Sequence, residues 1–202
     1  QNLQWFYDDP TPIVMETIKK FGIGYSHNVL EVGCGEGRDA YPLLKQGYKV
    51  LATDISTAAI RYAQEKFPEF ADNFAVLDCV AGVMHGKFDF IYAVAVLHML
   101  VDDADRDAFY TFIREHLNPK GIALICTMGD GAMERQTDIS TAFELQKRTH
   151  EQSGKELQVA NTSCRIVSLD RFRRELEQNG LLIVEDGITS ALPDFPILMY
   201  AM

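Results

Sequence analysis

Long apolar runs are missing from this chain: none approaches the roughly 20 residues that a membrane-spanning helix needs, so no membrane partner is expected. Basic residues are also scarce, 19 Lys and Arg against 29 Asp and Glu, for a formal net charge of −10. Binding a phosphate backbone depends on Lys and Arg displacing counterions, so nucleic acid and anionic membrane surfaces are poor candidate partners. The short basic groupings Lys147-Arg148 and Arg171-Phe172-Arg173-Arg174 are the exceptions. The four cysteines, Cys34, Cys79, Cys126 and Cys164, lie far apart and form no C-x-x-C pair. That argues against a zinc site and a disulfide framework, and suits the reduced thiols of a cytoplasmic protein. The opening residues, QNLQWFYDDP, are polar and aromatic rather than basic and then apolar, unlike a secretory leader. They lack an initiator Met, so a trimmed natural start is expected.

What is present is ordinary for a globular protein: 202 residues, 47% hydrophobic and 24% charged, enough for one domain over residues 1–202. Strand-like and helix-like segments alternate. Helices are expected from Thr11-Pro12 to Phe21, from Gly37 to Gln46, from the Ser56 cap to before Pro68, and from Asp103 to Leu117. Between them lie the apolar strands Asn28–Val32, "YKVLATD", "NFAVLD", "KFDFIYAVAVL" and, after the "NPKG" turn, "IALICTM". This rhythm predicts an α/β, doubly wound, mostly parallel sheet with helices on both faces. It breaks at residues 129–165, which read as a polar insertion with a helix from Ile139 to Glu151. Ser168 then caps a helix ended by Gly180. The runs "LLIVED" and "ILMYAM", joined by a loop carrying Pro193 and Pro196, follow without a helix between them, which implies an antiparallel C-terminal hairpin.

In an open parallel sheet, ligands sit beyond the carboxyl ends of the strands, where the strand order switches. The first strand runs straight into Gly33-Cys34-Gly35-Glu36-Gly37. Glycines there allow positive φ and a close approach of backbone to ligand. The spacing is G-x-G-x-G rather than the G-x-G-x-x-G of a dinucleotide site, and Glu31 and Glu36 would repel a pyrophosphate. The second strand ends in Asp54, able to accept from both hydroxyls of a ribose. The third ends in Asp78-Cys79, where a carboxylate can meet the amino edge of an adenine. A nucleoside with a cationic tail fits these groups, and S-adenosylmethionine is such a molecule.

The segments "VLEVGCGEGRD", "ATDIS", "LD" and "FDFIYAVAVLHML" are similar to the successive motifs of class I S-adenosylmethionine-dependent methyltransferases, and "GRDAYPLLKQGYKVLATDIS" resembles their bacterial small-molecule members. The likeness covers roughly residues 28–128. It implies a Rossmann-like sheet of seven strands, with the C-terminal strand antiparallel. It also implies that Gly33, Cys34, Gly35 and Gly37 line the methionine and ribose part of the donor, with Glu31 orienting its methionine end. Asp54 would bind the ribose, Ile55 would pack on the adenine, Asp78 and the Cys79 backbone would hold the adenine edge, and Ala93 and Val94 would lie beside the methyl.

The acceptor side is less legible. His98 follows the fourth strand and reads either as a general base or as a histidine packed among Leu97, Met99 and Leu100. Trp5, Phe6 and Tyr7 read as a lid over the methionine end or as an apolar anchor. Arg165, near the mouth, can clamp an acceptor carboxylate bidentately. The expected function is methyl transfer to a small molecule by in-line displacement, with no metal. The competing readings are transfer to a protein or tRNA, a non-catalytic S-adenosylmethionine sensor or partner subunit, and a nicotinamide dehydrogenase. The acceptor atom and the oligomeric state are not encoded in any motif here.

Overall fold

The computed structural model describes residues 10–138, 140, 145–149, 156–160, 163–191 and 195–202. Eleven strands and five α-helices are described within them. The strands are β1 Asn28–Val32, β2 Lys49–Asp54, β3 Phe74–Val76, β4 Phe88–Val94, β5 Leu117–Met128, β6 Arg135–Gln136, β7 Leu145–Thr149, β8 Glu156–Ala160, β9 Arg165–Ile166, β10 Asp186–Ala191 and β11 Phe195–Ala201. The helices are α1 Pro12–Phe21, α2 Ala40–Lys45, α3 Thr57–Lys66, α4 Asp103–His116 and α5 Leu169–Gln178.

Seven strands form the main sheet in the order β10-β11-β5-β4-β1-β2-β3. β1 pairs in parallel with both β2 and β4, and β5 continues the parallel run; β11 is antiparallel to β5, and β10 to β11. The alternation of side chains along each strand divides the core in two. Val29, Val50, Phe90 and Cys126 face α1, α2 and α3, whereas Leu30, Ile91, Ile125 and Met199 face α4 and α5. Successive residues of a strand therefore bury into opposite layers, which is why these strands read as continuous apolar runs. The strand order reverses between β1 and β4, so the crevice beyond their carboxyl ends is the ligand position that this architecture provides.

Local rules account for the helix ends. Pro12 sits in the first turn of α1, and Gly22, at φ 65°, closes it while the next amide donates to Ile18 O. The hydroxyls of Ser56 and Ser168 accept from Ala59 N and Arg171 N, capping α3 and α5.

Several boundaries differ from the expectation: β4 stops at Val94 rather than Leu97, and β5 begins at Leu117, so the expected NPKG turn lies within the strand. The helix expected from Gly37 begins at Ala40, because residues 33–37 form the turn off β1. β3 stops at Val76, so Asp78 lies in the turn beyond it, and a short 3-10 helix, Pro68–Asn73, precedes it. In the insertion, Leu145–Thr149 is a strand paired antiparallel with Glu156–Ala160, not part of a helix. That polar stretch carries no apolar stripe to hold a helix against a core; the rest of the expected helix, apart from residue 140, lies outside the described residues. The last hairpin begins at Asp186, not at Leu181. Leu181 and Ile183 pack over the α4/α5 layer while Leu182 stands 91% exposed, so the alternation is real but serves a loop.

Candidate functional site

The turn after β1 takes all three of its glycines to positive φ: Gly33 at 76°, Gly35 at 53° and Gly37 at 85°. A Cβ on Gly33 would lie 2.2 Å from Val96 Cγ2, and one on Gly37 2.8 Å from the Phe74 ring. A Cβ on Gly35 would meet nothing within 4 Å, so its bare backbone borders open space. Packing demands the outer two glycines, and backbone conformation demands all three.

Four of the five amides of this turn donate within the fold. Gly33 N and Cys34 N both donate to Thr53 O, at 2.7 and 2.8 Å, and Gly37 N donates to Cys34 O at 2.9 Å. Gly35 N donates to Asp54 Oδ2 at 2.8 Å, and the other carboxylate oxygen accepts from Ser56 N at 2.8 Å. Asp54 thus ties β2 to the glycine turn with one backbone donor per oxygen, and each oxygen keeps acceptor capacity. Ile55, next to it, is 68% exposed. Asp78 Oδ1 accepts from Val80 N at 2.8 Å and Ala81 N at 3.2 Å, holding the turn after β3. Cys79 is half-buried, and burial pushes its thiol up to about 11, so it stays a neutral thiol; burial raises Cys34 further.

Glu31, one of the expected donor-binding residues, is 3% exposed and lies across from Tyr92, its register partner on β4. The Tyr92 hydroxyl donates to Glu31 Oε2 at 3.0 Å. Burial first, then the neighbouring Asp39 carboxylate, holds the Glu31 carboxyl well above the usual carboxylate range. Asp39 was not anticipated from the sequence. It is buried and accepts from Thr11 N at 2.6 Å and Thr11 Oγ1 at 2.9 Å, with Arg38 Nη2 at 3.3 Å. It thereby fastens the start of α1 to the end of the glycine turn. The signal in sequence was its position just before α2, where an Asp reads as an ordinary cap; its side chain caps nothing and reaches back 28 residues instead. Tyr7, Trp5 and Phe6 lie outside the described residues.

At the end of β4, Ala93 is wholly buried on the α4/α5 face and Val94 is buried on the other. The residue that follows, Ala95, has φ 59°, the one non-glycine residue at positive φ among those described. Such a conformation costs of order 1–3 kcal/mol and gathers at ligand sites. Ala95 N donates to Cys126 O at 2.9 Å, which fixes the strained residue at the crevice edge, and Val96 then packs on Gly33.

The acceptor-side candidates fare differently. His98 is buried, and burial followed by the charge of Arg106 pulls it down to about 4, a neutral and weakly basic imidazole at neutral pH. Arg165 does not reach the mouth as a clamp. It is 4% exposed, with Nη1 donating to Val101 O and Nη2 to Asp103 Oδ1, each at 2.6 Å, so its guanidinium is committed to structure. It belongs to a network the sequence did not disclose. Arg106 donates to Leu97 O at 2.9 Å, to Leu100 O at 3.2 Å and to Glu175, which also accepts from the Tyr110 hydroxyl at 3.0 Å. β6 and β9 pair to form the neck of the insertion, and Ser163 Oγ donates to Met99 O at 3.0 Å, seating that neck against the turn after β4. Among the described residues, no three of His, Cys, Asp or Glu gather closely enough to hold a metal ion, and no helix is long and apolar enough to cross a membrane.

Comparison with known proteins agrees with this geometry. The profile of a family described as "Methyltransferase domain" matches residues 29–121, from β1 into β5. The chain is 38% identical over 105 residues to the hybrid PKS-NRPS synthetase mpsA of Macrophomina phaseolina, covering 46% of this chain and 2% of that protein. It is 33% identical over 106 residues to the ubiquinone biosynthesis O-methyltransferase of Rickettsia prowazekii, covering 50% of this chain and 39% of the relative. The matched stretch thus spans well under half the length of either relative. The structure of the glycopeptide N-methyltransferase MtfA complexed with (S)-adenosyl-L-homocysteine superposes with a TM-score of 0.69 at 24% identity, covering 98% of this chain and 91% of that one. The glycine turn and the acid-ended β2 both lie in the segment, residues 29–121, that matches the methyltransferase domain family.

Proposed function

We propose that the chain transfers a methyl group from S-adenosylmethionine to a small-molecule acceptor. The observation that carries this is the direction of the loop amides. Gly33, Cys34, Gly35 and Gly37 all spend their N–H groups inside the fold, and a carboxylate stands in the turn. A diphosphate requires outward amides at a helix N-terminus; α2 begins only at Ala40. That disfavours a nicotinamide dehydrogenase and suits a nucleoside without phosphates.

Each donor-binding assignment is part of the same proposal. Asp54 accepts from the ribose hydroxyls with its remaining lone pairs, while Gly35 offers bare backbone beside the donor. Exposed Ile55 covers an adenine face, with Asp78 and the Cys79 backbone at the adenine edge. Gly33, Cys34 and Gly37 shape the wall, Glu31 answers the ammonium end, and Ala93 and Val94 set the β4 terminus from which Ala95 turns. When bound, S-adenosylmethionine supplies a methyl on a positively charged sulfur, a leaving group already activated. Orienting the acceptor in line then supplies much of the acceleration. His98, at about 4, is too weak a base for us to give it proton abstraction.

Residues 129–165 are proposed as the acceptor-side cover of a single domain, and Tyr7 as a contact to the donor or acceptor. The strongly acidic balance supports a small molecule over tRNA, and the relatives' names point the same way. A cytoplasmic setting fits the cysteines, all four of which are free. The test is transfer of isotopically labelled methyl from S-adenosylmethionine to a panel of small oxygen, nitrogen and sulfur nucleophiles. Labelled product from at least one, lost in Asp54→Ala, is expected; donor binding with no transfer to any class would favour a sensor.

A further inference from the structure

Three carboxyls crowd the end of β1, and they are not equally provided for. Asp39 receives Thr11 N, Thr11 Oγ1 and the Arg38 guanidinium; Asp54 receives two backbone amides, Gly35 N and Ser56 N. Glu31 receives one donor among the described residues, the Tyr92 phenol. It is also among the most enclosed of the three, and Tyr92 behind it is wholly buried. The groups whose charge it feels are Asp39, Asp54 and Arg38, with the Cys34 thiol alongside. Two of these are acids, and Arg38, the one cation among these described groups, is already engaged with Asp39 and Thr11. A carboxyl that is buried and flanked by acids keeps its proton. Its place two residues before Gly33, where β1 runs into the glycine turn, puts it at the methionine end of the donor under the reading above, on which this inference rests.

We propose that Glu31 is a proton-linked gate of the donor site: neutral when the site is empty, and ionised when an ammonium-bearing ligand is seated beside it. The step balances simply. The carboxyl O–H bond breaks, the proton passes to the solvent buffer, and the carboxylate pairs with the ligand's ammonium, whose own protons stay in place. Tyr92 keeps its hydroxyl on Oε2 through both states, so it positions the carboxyl without titrating. Donor affinity then rises with pH, by up to about tenfold per unit across the interval in which the free protein holds the proton and the complex does not.

The test is calorimetric titration of S-adenosylhomocysteine, which carries the ammonium but no sulfonium, into the full chain. Two buffers of unlike ionisation enthalpy are used, from about pH 5 to about pH 8. The proposal expects a buffer-dependent heat equivalent to release of up to one proton, shrinking as pH rises and absent in Glu31→Gln. Binding with the same heat in both buffers throughout, or release that persists in Glu31→Gln, would overturn it while leaving the donor reading intact. No binding at any pH would overturn both. Should Glu31→Gln fail to fold, the infrared carbonyl band of a buried protonated carboxyl gives the same answer in the unaltered protein: lost on saturation if the proposal holds, unchanged if it does not.

Discussion

Among the described residues, two charge clusters built around buried side chains follow opposite plans. At the glycine turn, Glu31, Asp39 and Asp54 are held mainly by amides and hydroxyls, with one partly buried guanidinium at the edge. Beneath the turn after β4, Arg106 and Arg165 meet Glu175 and Asp103 directly, guanidinium to carboxylate. The second cluster is close to neutral within itself and binds α4, α5 and β9 together. The first carries an excess of acid over base among the described residues. A cluster that completes its own pairing stabilises a fold; one with acid in excess is suited to a cationic ligand.

The sharpest way to break this contrast is Arg106→Ala. Removing the wholly buried Arg106 takes the nearest cation from partly buried Glu175 and the guanidinium donor from Leu97 O and Leu100 O, so unfolding stability should fall by about 3–5 kcal/mol, read from urea denaturation. Asp54→Ala should do the converse. It should lower S-adenosylhomocysteine affinity by about ten- to a hundredfold, as for lost charge-assisted hydrogen bonds, with a smaller effect on stability. An Arg106→Ala protein with weakened ligand binding but unchanged stability would erase the distinction.

Gly35→Ala refines it within the loop itself. With φ at 53° but open space beyond, alanine there should cost about 1–2 kcal/mol of stability while its methyl intrudes where the donor approaches. Affinity should therefore fall further than stability, which calorimetry and thermal denaturation compare directly.

The smallest effects are pH dependences of opposite sign. Glu31 holds its proton more firmly in the fold than in the open chain, so the native state binds more protons over the interval between the two values. Stability of the free protein should decline as pH rises through it, and Glu31→Gln should flatten that decline. His98 is the reverse case: its folded value of about 4 lies below the ordinary value of about 6.5, so its stability contribution is lost as pH falls between them. Denaturation midpoints across pH separate the two.

The same contrast explains what could be read in advance. The sheet, its helical layers and the acid-ended β2 are written in local patterns: apolar runs bounded by glycine, serine caps, an Asp at the end of β2. The glycine turn is legible because backbone conformation restricts residue choice there. Asp39 was missed because a contact across 28 residues leaves no local mark. Arg165 was misassigned because an arginine near a site looks the same in sequence whether it faces the mouth or Val101 O. Arg106, with Glu175 69 positions away, sits on an amphipathic helix whose charges read as solvated. Long-range pairing of polar groups decides each of these, and no periodicity reports it.

The central claim is that this crevice holds a cationic nucleoside and has no place for a diphosphate. Calorimetric titration of the same preparation with S-adenosylhomocysteine and with NAD tests it most directly. Saturable binding of the first with no detectable heat from the second is the predicted result; saturable binding of NAD with no heat from S-adenosylhomocysteine would contradict it.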